Sequence, residues 1–559
     1  MEQQTHKKLY STHAWVGIIS GILLFIVTFS GIPALFDHEI EYWQYPAYSE
    51  QQNTTRVQTP FNLERALQKS KDLNFNHDNY FIQPADNINN HVILAYFSEG
   101  KEPDLHYLNA DSYQEFPASP SELNHLLGHL HTDLHLPRPW GRYLVGLSGM
   151  AMLLAIIAGI FIHVKWRKEF VMLRPKRSWR LLLTDQHKLL GLWSLPFTLI
   201  LAFTGTILGL LGLISPILAI AAFNGDVEKA TIAVLGPKAE VTGEYSAVYP
   251  LIELLGRLEI DMPDTSVEFI QVSGLRIIRS LEKTDDKIDD KIFTTEGTEN
   301  TEEEIKEQNI KQLTTNELIT DIGGIIKFSG YHKDKLSNLE SVTYNLSTGE
   351  KIHQGSFIGK GLFQRIFAAV TPLHYVLFGN TWLKVFYALS ALAACGLILT
   401  GNMLWLHKRG HGMQHWLSKS TLGICGGLVV ATSVTFAASQ VMYAFKFPLG
   451  SGLHHISEEW FFWGSWLVMI AAPFIIKDGF KLSHYFLRLT SLAFIITLVA
   501  DGLFNQRWFW LTEGWVFNIQ MGILGSALLF LYLDYKMPNK ANIRSAESTQ
   551  DNNYSAETV

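Results

Sequence analysis

Eight apolar runs, at about 14–36, 143–163, 189–214, 379–406, 420–445, 460–476, 485–504 and 515–535, constrain this chain more than any other feature. A bilayer core takes about 20 mostly apolar residues per helix, and the runs fall in that range. The composition agrees, with 47% hydrophobic and only 17% charged residues, where soluble domains carry about 25% charged. A soluble enzyme, a disordered scaffold and a nucleic-acid binder are excluded, and the net charge of −7 further disfavours a polyanion partner. Cys395 and Cys425 both lie inside apolar runs. They supply neither a disulfide framework nor a Cys-based zinc site, and no C-x-x-C-H haem attachment motif is present. The expected fold class is therefore an α-helical polytopic membrane protein with about eight transmembrane helices.

Orientation follows from Lys and Arg in the short loops. One side holds Lys7, Lys8, the dense loop Lys165 to Arg180, Lys408, Arg409, Lys477, Lys481, Arg488 and the tail with Lys536, Lys540 and Arg544. The opposite short loops offer little more than Lys446 and Arg507. Both termini are expected in the cytoplasm, with the first run retained as a helix (1–36) rather than removed as a signal peptide. Two long polar segments then face outward, 37–142 and 224–378. Each reads as a helix (Phe61–Lys71; Tyr249–Leu258) followed by strands (His91–Phe97 and Leu105–Leu108; Glu268–Val272 and Ser341–Leu346). An Asn-Ala-Asp turn closes the first set and a Ser-Thr-Gly turn, Ser347–Gly349, the second. The stretch 283–311, rich in acidic residues, Lys and Thr, reads as a solvated insertion. The remaining segments are 143–223 (second span, basic loop and third span, with Ile214 to Phe223 an interfacial helix broken at Pro216), 379–406 (fourth span), 407–535 (spans five to eight) and a cytoplasmic tail, 536–559.

The first four spans contain a repeat. THAWVGIISGILLFIVTFSGI parallels QHKLLGLWSLPFTLILAFTGTI. Gly31 follows His13 by 18 positions (31 − 13), and Gly205 follows His187 by the same 18 (205 − 187). Eighteen residues make five turns at 3.6 residues each, so each His shares a helix face with its Gly. The second and fourth spans are each preceded by Leu-His, at His131 and His374, and each carries a late Gly, Gly159 and Gly401. The unit is helix, outward domain, helix, occurring twice; spans five to eight show no such repeat.

Ionisable residues at span ends are candidates for function. His13, His163, His187 and His407 stand at the inner ends of the four spans; His129, His131, His135 and His374 stand at the outer ends of the second and fourth. No acidic residue joins them at zinc-ligand spacing. Facing helices that offer one imidazole each, with Gly on the same face, suit a flat macrocycle held by axial His. Two levels of His predict two b-type haems stacked across the bilayer. His13 and His187 are equivalent inner positions, with His163 as an alternative, and His131 and His374 are equivalent outer positions, with His135 as an alternate. Trp15, Trp166, Trp193 and Trp405 near the inner His read as interfacial anchors. Gly423, Gly426 and Gly427 read as helix packing, since no strand–GxGxxG–helix unit for a flavin or nicotinamide accompanies them. A separate electron donor is expected: quinol, or a cytoplasmic flavoprotein docking at the basic 165–180 loop.

Five pieces of the chain resemble one known family: HAWVGIISGILLFIVTFSG, LHTDLHLPRPWGRYLVGLSG, IAGIFIHVKWRKEFVMLRP, RSWRLLLTDQHKLLGLWSLPFTLILAFTG and LHYVLFGNTWLKVFYALSALAACGLILTGNMLW. They are similar to the PepSY-associated transmembrane family, and within it to the branch of inner-membrane ferrisiderophore reductases. The resemblance implies two periplasmic α+β PepSY-like domains, reduction of ferric iron in a siderophore by membrane-bound haem b, and His13, His131, His163, His187 and His374 as the matching ligands. It places the protein in the bacterial inner membrane. Hard oxygen ligands prefer Fe(III), so reduction favours release of the metal. Two other classes compete with this reading: a regulatory protein whose PepSY-like domains bind an envelope partner, and a permease for iron or its chelate.

Overall fold

The computed structural model describes the chain except residues 1–2, 45–60, 73–78, 86–90, 97–103, 117–122, 164–165, 167–169, 175–178, 230–231, 233–235, 241, 278–317, 333–335, 337–338, 357–360, 446–453 and 538–559. The acidic insertion expected at 283–311 lies outside the described residues, as does most of the basic loop. Two compact units emerge: Met1–Gln51, Ser119–Ser215 and Val370–Val559 form a helical unit, and Gln52–Ala118 with Pro216–Ala369 form a second.

Apart from the helices packed on the sheet, the described helices are α1 (Gln3–Ala34), α2 (Asp37–Gln44), α3 (Leu123–Thr132), α4 (Trp140–Ile162), α5 (Trp179–Phe223), α6 (Leu362–Tyr375), α7 (Thr381–Lys408), α8 (Trp416–Ser420, a π-turn Thr421–Gly426, then Gly427–Ala444), α9 (His454–Ile475), α10 (Gly479–Phe504) and α11 (Gly514–Lys536). Seven of these are long and apolar enough to cross a membrane: α1, α4, α5, α7, α8, α10 and α11. Their outward faces are apolar, as a helix solvated by lipid requires. On α4, Leu144, Leu147, Leu154, Ile157 and Ile160 are all exposed, spaced three to seven residues apart along one side.

The structure departs from the sequence reading in two places. The run at 460–476 falls within α9, which is about 33 Å long at 1.5 Å per residue but is not among the seven spans. Glu458, Glu459 and the tryptophans at 460, 463 and 466 dilute its apolar character. The second departure is α5, which runs unbroken through Pro216. Proline removes the N–H that would bond the carbonyl four residues back. Here the Ser215 hydroxyl donates to that Gly212 carbonyl at 3.3 Å instead.

The glycines of α8 seat it against its neighbours. A Cβ on Gly423 would stand 2.8 Å from the Ile470 carbonyl oxygen, and one on Gly427 2.7 Å from Met469. The π-turn carries its own support, since the Trp466 indole N–H donates to the Ile424 carbonyl at 3.0 Å.

In the second unit nine strands make one antiparallel sheet: β1 (Asn79–Gln83), β2 (His91–Tyr96), β3 (Asp104–Asn109), β4 (Glu115–Phe116), β5 (Tyr245–Ala247), β6 (Thr265–Ile277), β7 (Leu318–His332), β8 (Leu339–Asn345) and β9 (Lys351–Ser356). Their order is β4-β3-β2-β1-β6-β7-β8-β9, with β5 added on β7. Each half is a helix followed by four strands, and the halves join through their first strands, with Ile82 opposite Ile270 and Tyr80 opposite Val272. The two α+β modules expected from the sequence are therefore fused edge to edge, which removes one exposed strand edge from each. Their helices, Leu63–Asp72 and Leu251–Asp261, share one core. Leu63, Leu67, Leu254 and Leu258 pack on Tyr80, Leu94, Val272, Phe328 and Tyr344.

The halves also share a turn. Asn109 and Asn345 each end the third strand, accept through Oδ1 from backbone N–H groups two and three residues on, and accept again through the backbone from residues 113 and 349. Tyr113 and Gly349 occupy the same left-handed position, at φ 57° and 67°. The Asn side chain satisfies the turn in both copies, which is why an Asx residue stands there.

Asp321 on β7 fixes the segment before β5. It is buried and accepts from the N–H groups of Thr242, Gly243 and Gly323. Burial by itself would push its carboxyl up, but those backbone bonds outweigh it and hold the carboxyl below 3.8. The stabilisation is thus complete above pH 3.8 and is lost as the pH falls through the lower folded value. Asp321→Asn should cost about 1–3 kcal/mol at neutral pH. It should also flatten the acid limb of unfolding of the second unit, measured by hydrogen exchange of the β6 and β7 amides in the full-length protein.

Candidate functional site

Histidines from different helices meet in two pairs within the helical unit. The rings of His13 (α1) and His187 (α5) have centroids 6.1 Å apart and planes at 80°. The rings of His131 (α3) and His374 (α6) have centroids 6.0 Å apart and planes at 24°. His13 and the Gly31 that seats His131 are 18 residues apart on α1, about 27 Å along the helix axis. The pairs therefore lie toward opposite ends of the first helix.

Each imidazole is oriented in the same manner. His13 Nδ1 donates to the Ala155 carbonyl at 2.9 Å, His187 Nδ1 to that of Leu397 at 3.0 Å, and His131 Nδ1 to that of Val27 at 2.7 Å. A carbonyl only accepts, so the proton is on Nδ1 and the Nε2 lone pair is left over. For His374 the acceptor is the Thr204 hydroxyl, 2.9 Å from Nδ1; that hydroxyl gives its own proton to the Ile200 carbonyl at 2.7 Å. Among the described residues, the four Nε2 atoms carry no hydrogen bond.

Glycine makes the room. A Cβ on Gly31 would stand 2.8 Å from Cε1 of His131, and one on Gly205 3.2 Å from that of His374. Gly401 approaches His187 at 3.2 Å and Gly159 approaches His13 at 3.5 Å. For His13, His187 and His131 the accepting carbonyl belongs to the residue four before the Gly, one turn back on the same face. Each Gly that the sequence shows on a His-bearing face thus serves a His from another helix. The carbonyls and Thr204 were not legible beforehand, although the i−4 position of each Gly was a readable signal.

His163 and His135 enter neither pair. His163 caps the C-terminus of α4, its N–H donating to Gly159 and Ile160. His135, at φ 54°, donates through Nε2 to the Leu126 carbonyl at 2.9 Å and packs on Trp463 and His129. His129 bonds Asp133 at 3.0 Å, and His407 lies exposed near the end of α7. Trp15 and Trp193 are more than half exposed, at 51% and 56%, as side chains at a membrane interface would be.

Two buried carboxylates in the helical unit are paired with cations. Asp501, fully buried on α10, accepts from Trp43, Asn505, Arg507 and Gln520 at 2.6–2.9 Å. Lys384 holds the buried Glu39 at 2.6 Å. Both networks anchor α2, the short helix that follows the first span, to its neighbours in the helical unit.

The fold and these sites define a multi-pass membrane protein built on a duplicated helix pair that flanks α+β modules. The model of the PepSY-associated TM region matches residues 10–408, well over half of the chain, and the protein belongs to that family. An uncharacterized protein of Pseudomonas aeruginosa is 26% identical over 327 residues, which span 56% of this chain and 72% of the relative.

The glycine seats can be checked without any ligand. Gly31→Ala forces the His131 ring off Val27, at a cost of about 1–3 kcal/mol. Gly17→Ala on the same helix meets open space and should be neutral or mildly stabilising. Thermal unfolding of the detergent-solubilised protein should rank Gly31→Ala lowest and Gly17→Ala at or above wild type.

Proposed function

We propose that the protein is a haem-b oxidoreductase of the inner membrane, passing single electrons from the cytoplasmic side to a ferric chelate, a ferrisiderophore, outside. The observation that carries this reading is the pair of opposed imidazoles repeated at two levels. A metal–imidazole bond is about 2 Å and a ring centroid lies about 1 Å behind Nε2. Two imidazoles on one iron therefore have centroids about 6 Å apart, in line with the 6.1 and 6.0 Å found here. The donor set also fits: a ring whose Nδ1–H is held by an oxygen acceptor ligates through Nε2. On this reading His13 and His187 hold the inner haem and His131 and His374 the outer, with the N-terminus in the cytoplasm as the positive charges flanking the first span indicate.

Bound haem supplies a one-electron couple at each level. The chain contributes the rest. Its carbonyl and hydroxyl acceptors fix the rings, raise their basicity and so set the potentials. The apolar helices exclude water and keep the low dielectric between the levels. At the outer level one electron converts Fe(III) to Fe(II), and hard oxygen ligands release the reduced metal more readily. The electron comes from a separate donor, a quinol or a cytoplasmic flavoprotein.

The two pairs differ in ring orientation, and this gives a direct test. Near-perpendicular imidazoles, as at His13 and His187, give an oxidised haem a strongly anisotropic low-spin resonance. Near-parallel ones, as at His131 and His374, give an ordinary rhombic one. Purified protein should carry two haems and both signals. His187→Ala should remove the anisotropic signal and His374→Ala the rhombic one, each with the loss of one haem. Protein recovered pigment-free from haem-sufficient cells would favour instead a PepSY-type binding protein.

A further inference from the structure

Among the described residues, one buried donor a helical turn from the His187 seat has no hydrogen-bond partner. The Trp405 indole nitrogen, Nε1, is buried without a hydrogen-bond partner. An indole N–H can only donate, and leaving such a donor unmet in the interior is costly enough to need an explanation. Trp405 stands on α7 four residues after Gly401 (405 − 401), the glycine that seats His187. One helical turn therefore separates it from the His187 seat, on the same face and toward the end of α7.

A cation accompanies it. The Arg409 guanidinium lies 3.9 Å over the Trp405 ring and 5.9 Å over that of Trp15, whose own ring meets Trp405 edge-on at 6.2 Å. A buried indole N–H without a partner and a guanidinium stacked on the same ring can together serve a carboxylate. The other repeat has the same step: His163 follows Gly159, the seat of His13, by four residues (163 − 159). Both repeats thus put a nitrogen-bearing ring one turn beyond the glycine seat.

We infer that Trp405 and Arg409 receive a propionate carboxylate of the macrocycle held by His13 and His187, Trp405 as hydrogen-bond donor and Arg409 as the compensating cation. The inference rests on the proposed function, and it assigns to this chain the contacts that orient the inner group in its plane. Axial imidazoles fix the iron but leave the macrocycle free to turn about the axis between them; a propionate contact removes that freedom. Compensating the carboxylate charge also raises the inner potential, because an uncompensated negative charge favours the ferric state.

The test uses the full-length, haem-loaded protein with Trp405→Phe, Arg409→Gln and, as a control at the exposed ring, Trp15→Phe. Haem content and the low-spin spectrum report folding and axial ligation, and should remain those of wild type in all three. Spectropotentiometric titration should then show a lowered midpoint for one haem only in Trp405→Phe and Arg409→Gln. Haem transfer to apomyoglobin should be faster for Trp405→Phe on the order of ten-fold, the size of one charge-assisted hydrogen bond. Unchanged midpoints in a fully loaded Trp405→Phe protein would overturn this inference and leave the proposed function standing. Equal shifts at both haems would also overturn it, by showing a general effect of the substitution. A wild-type protein without haem would overturn both.

Discussion

The arrangement on which the helical unit depends is an imidazole pressed against a glycine of another helix, with its Nδ1–H bonded to an oxygen on that helix. It occurs four times: at Gly31, Gly159, Gly205 and Gly401. Each instance ties two helices together with a hydrogen bond that lipid cannot replace, and each leaves one ring nitrogen unspent. In a bilayer, where apolar contact distinguishes poorly between helix and lipid, close approach at small residues and interhelical hydrogen bonds are the available sources of specificity. Here the same few contacts set both helix packing and the direction in which Nε2 faces.

Duplication organises both units. In the helical unit the repeat supplies equivalent His and Gly positions, and it converts one imidazole per helix pair into two opposed pairs. In the second unit it supplies two helix-plus-four-strand halves whose first strands join, so that Tyr80 and Ile82 meet Val272 and Ile270 in a shared core. The identical Asn-centred turns at 109 and 345 mark the kinship of halves whose sequences have drifted apart. Outside the repeat, α8 to α11 hold α2 through Asp501 and its partners. The intramembrane charges in that network serve anchorage, with every carboxylate oxygen of Asp501 engaged.

The sequence by itself determined the class of fold, the positions of seven spans, the repeat, and a set of candidate histidines that includes the four that pair. Apolar runs and an 18-residue His–Gly spacing are local properties, and helical periodicity converts them directly into faces. It read both module helices and the strands β2, β3, β6 and β8 for the same reason, as alternation and turn chemistry act over short distances, but not β1, β4, β5, β7 and β9.

Only the tertiary structure decided which glycine seats which histidine, because that depends on how neighbouring helices are placed in register, and no single helix encodes it. The same holds for the exclusion of His163 and His135 from the pairs: spacing placed them within reach, but a C-cap and a carbonyl bond took up their backbone and ring. It holds as well for the fusion of the modules into one sheet, since a strand edge does not name its partner, and for the four donors that converge on the buried Asp501. Local physics fixed what each segment is; contacts between segments distant in the chain fixed which side chains meet and with what chemistry.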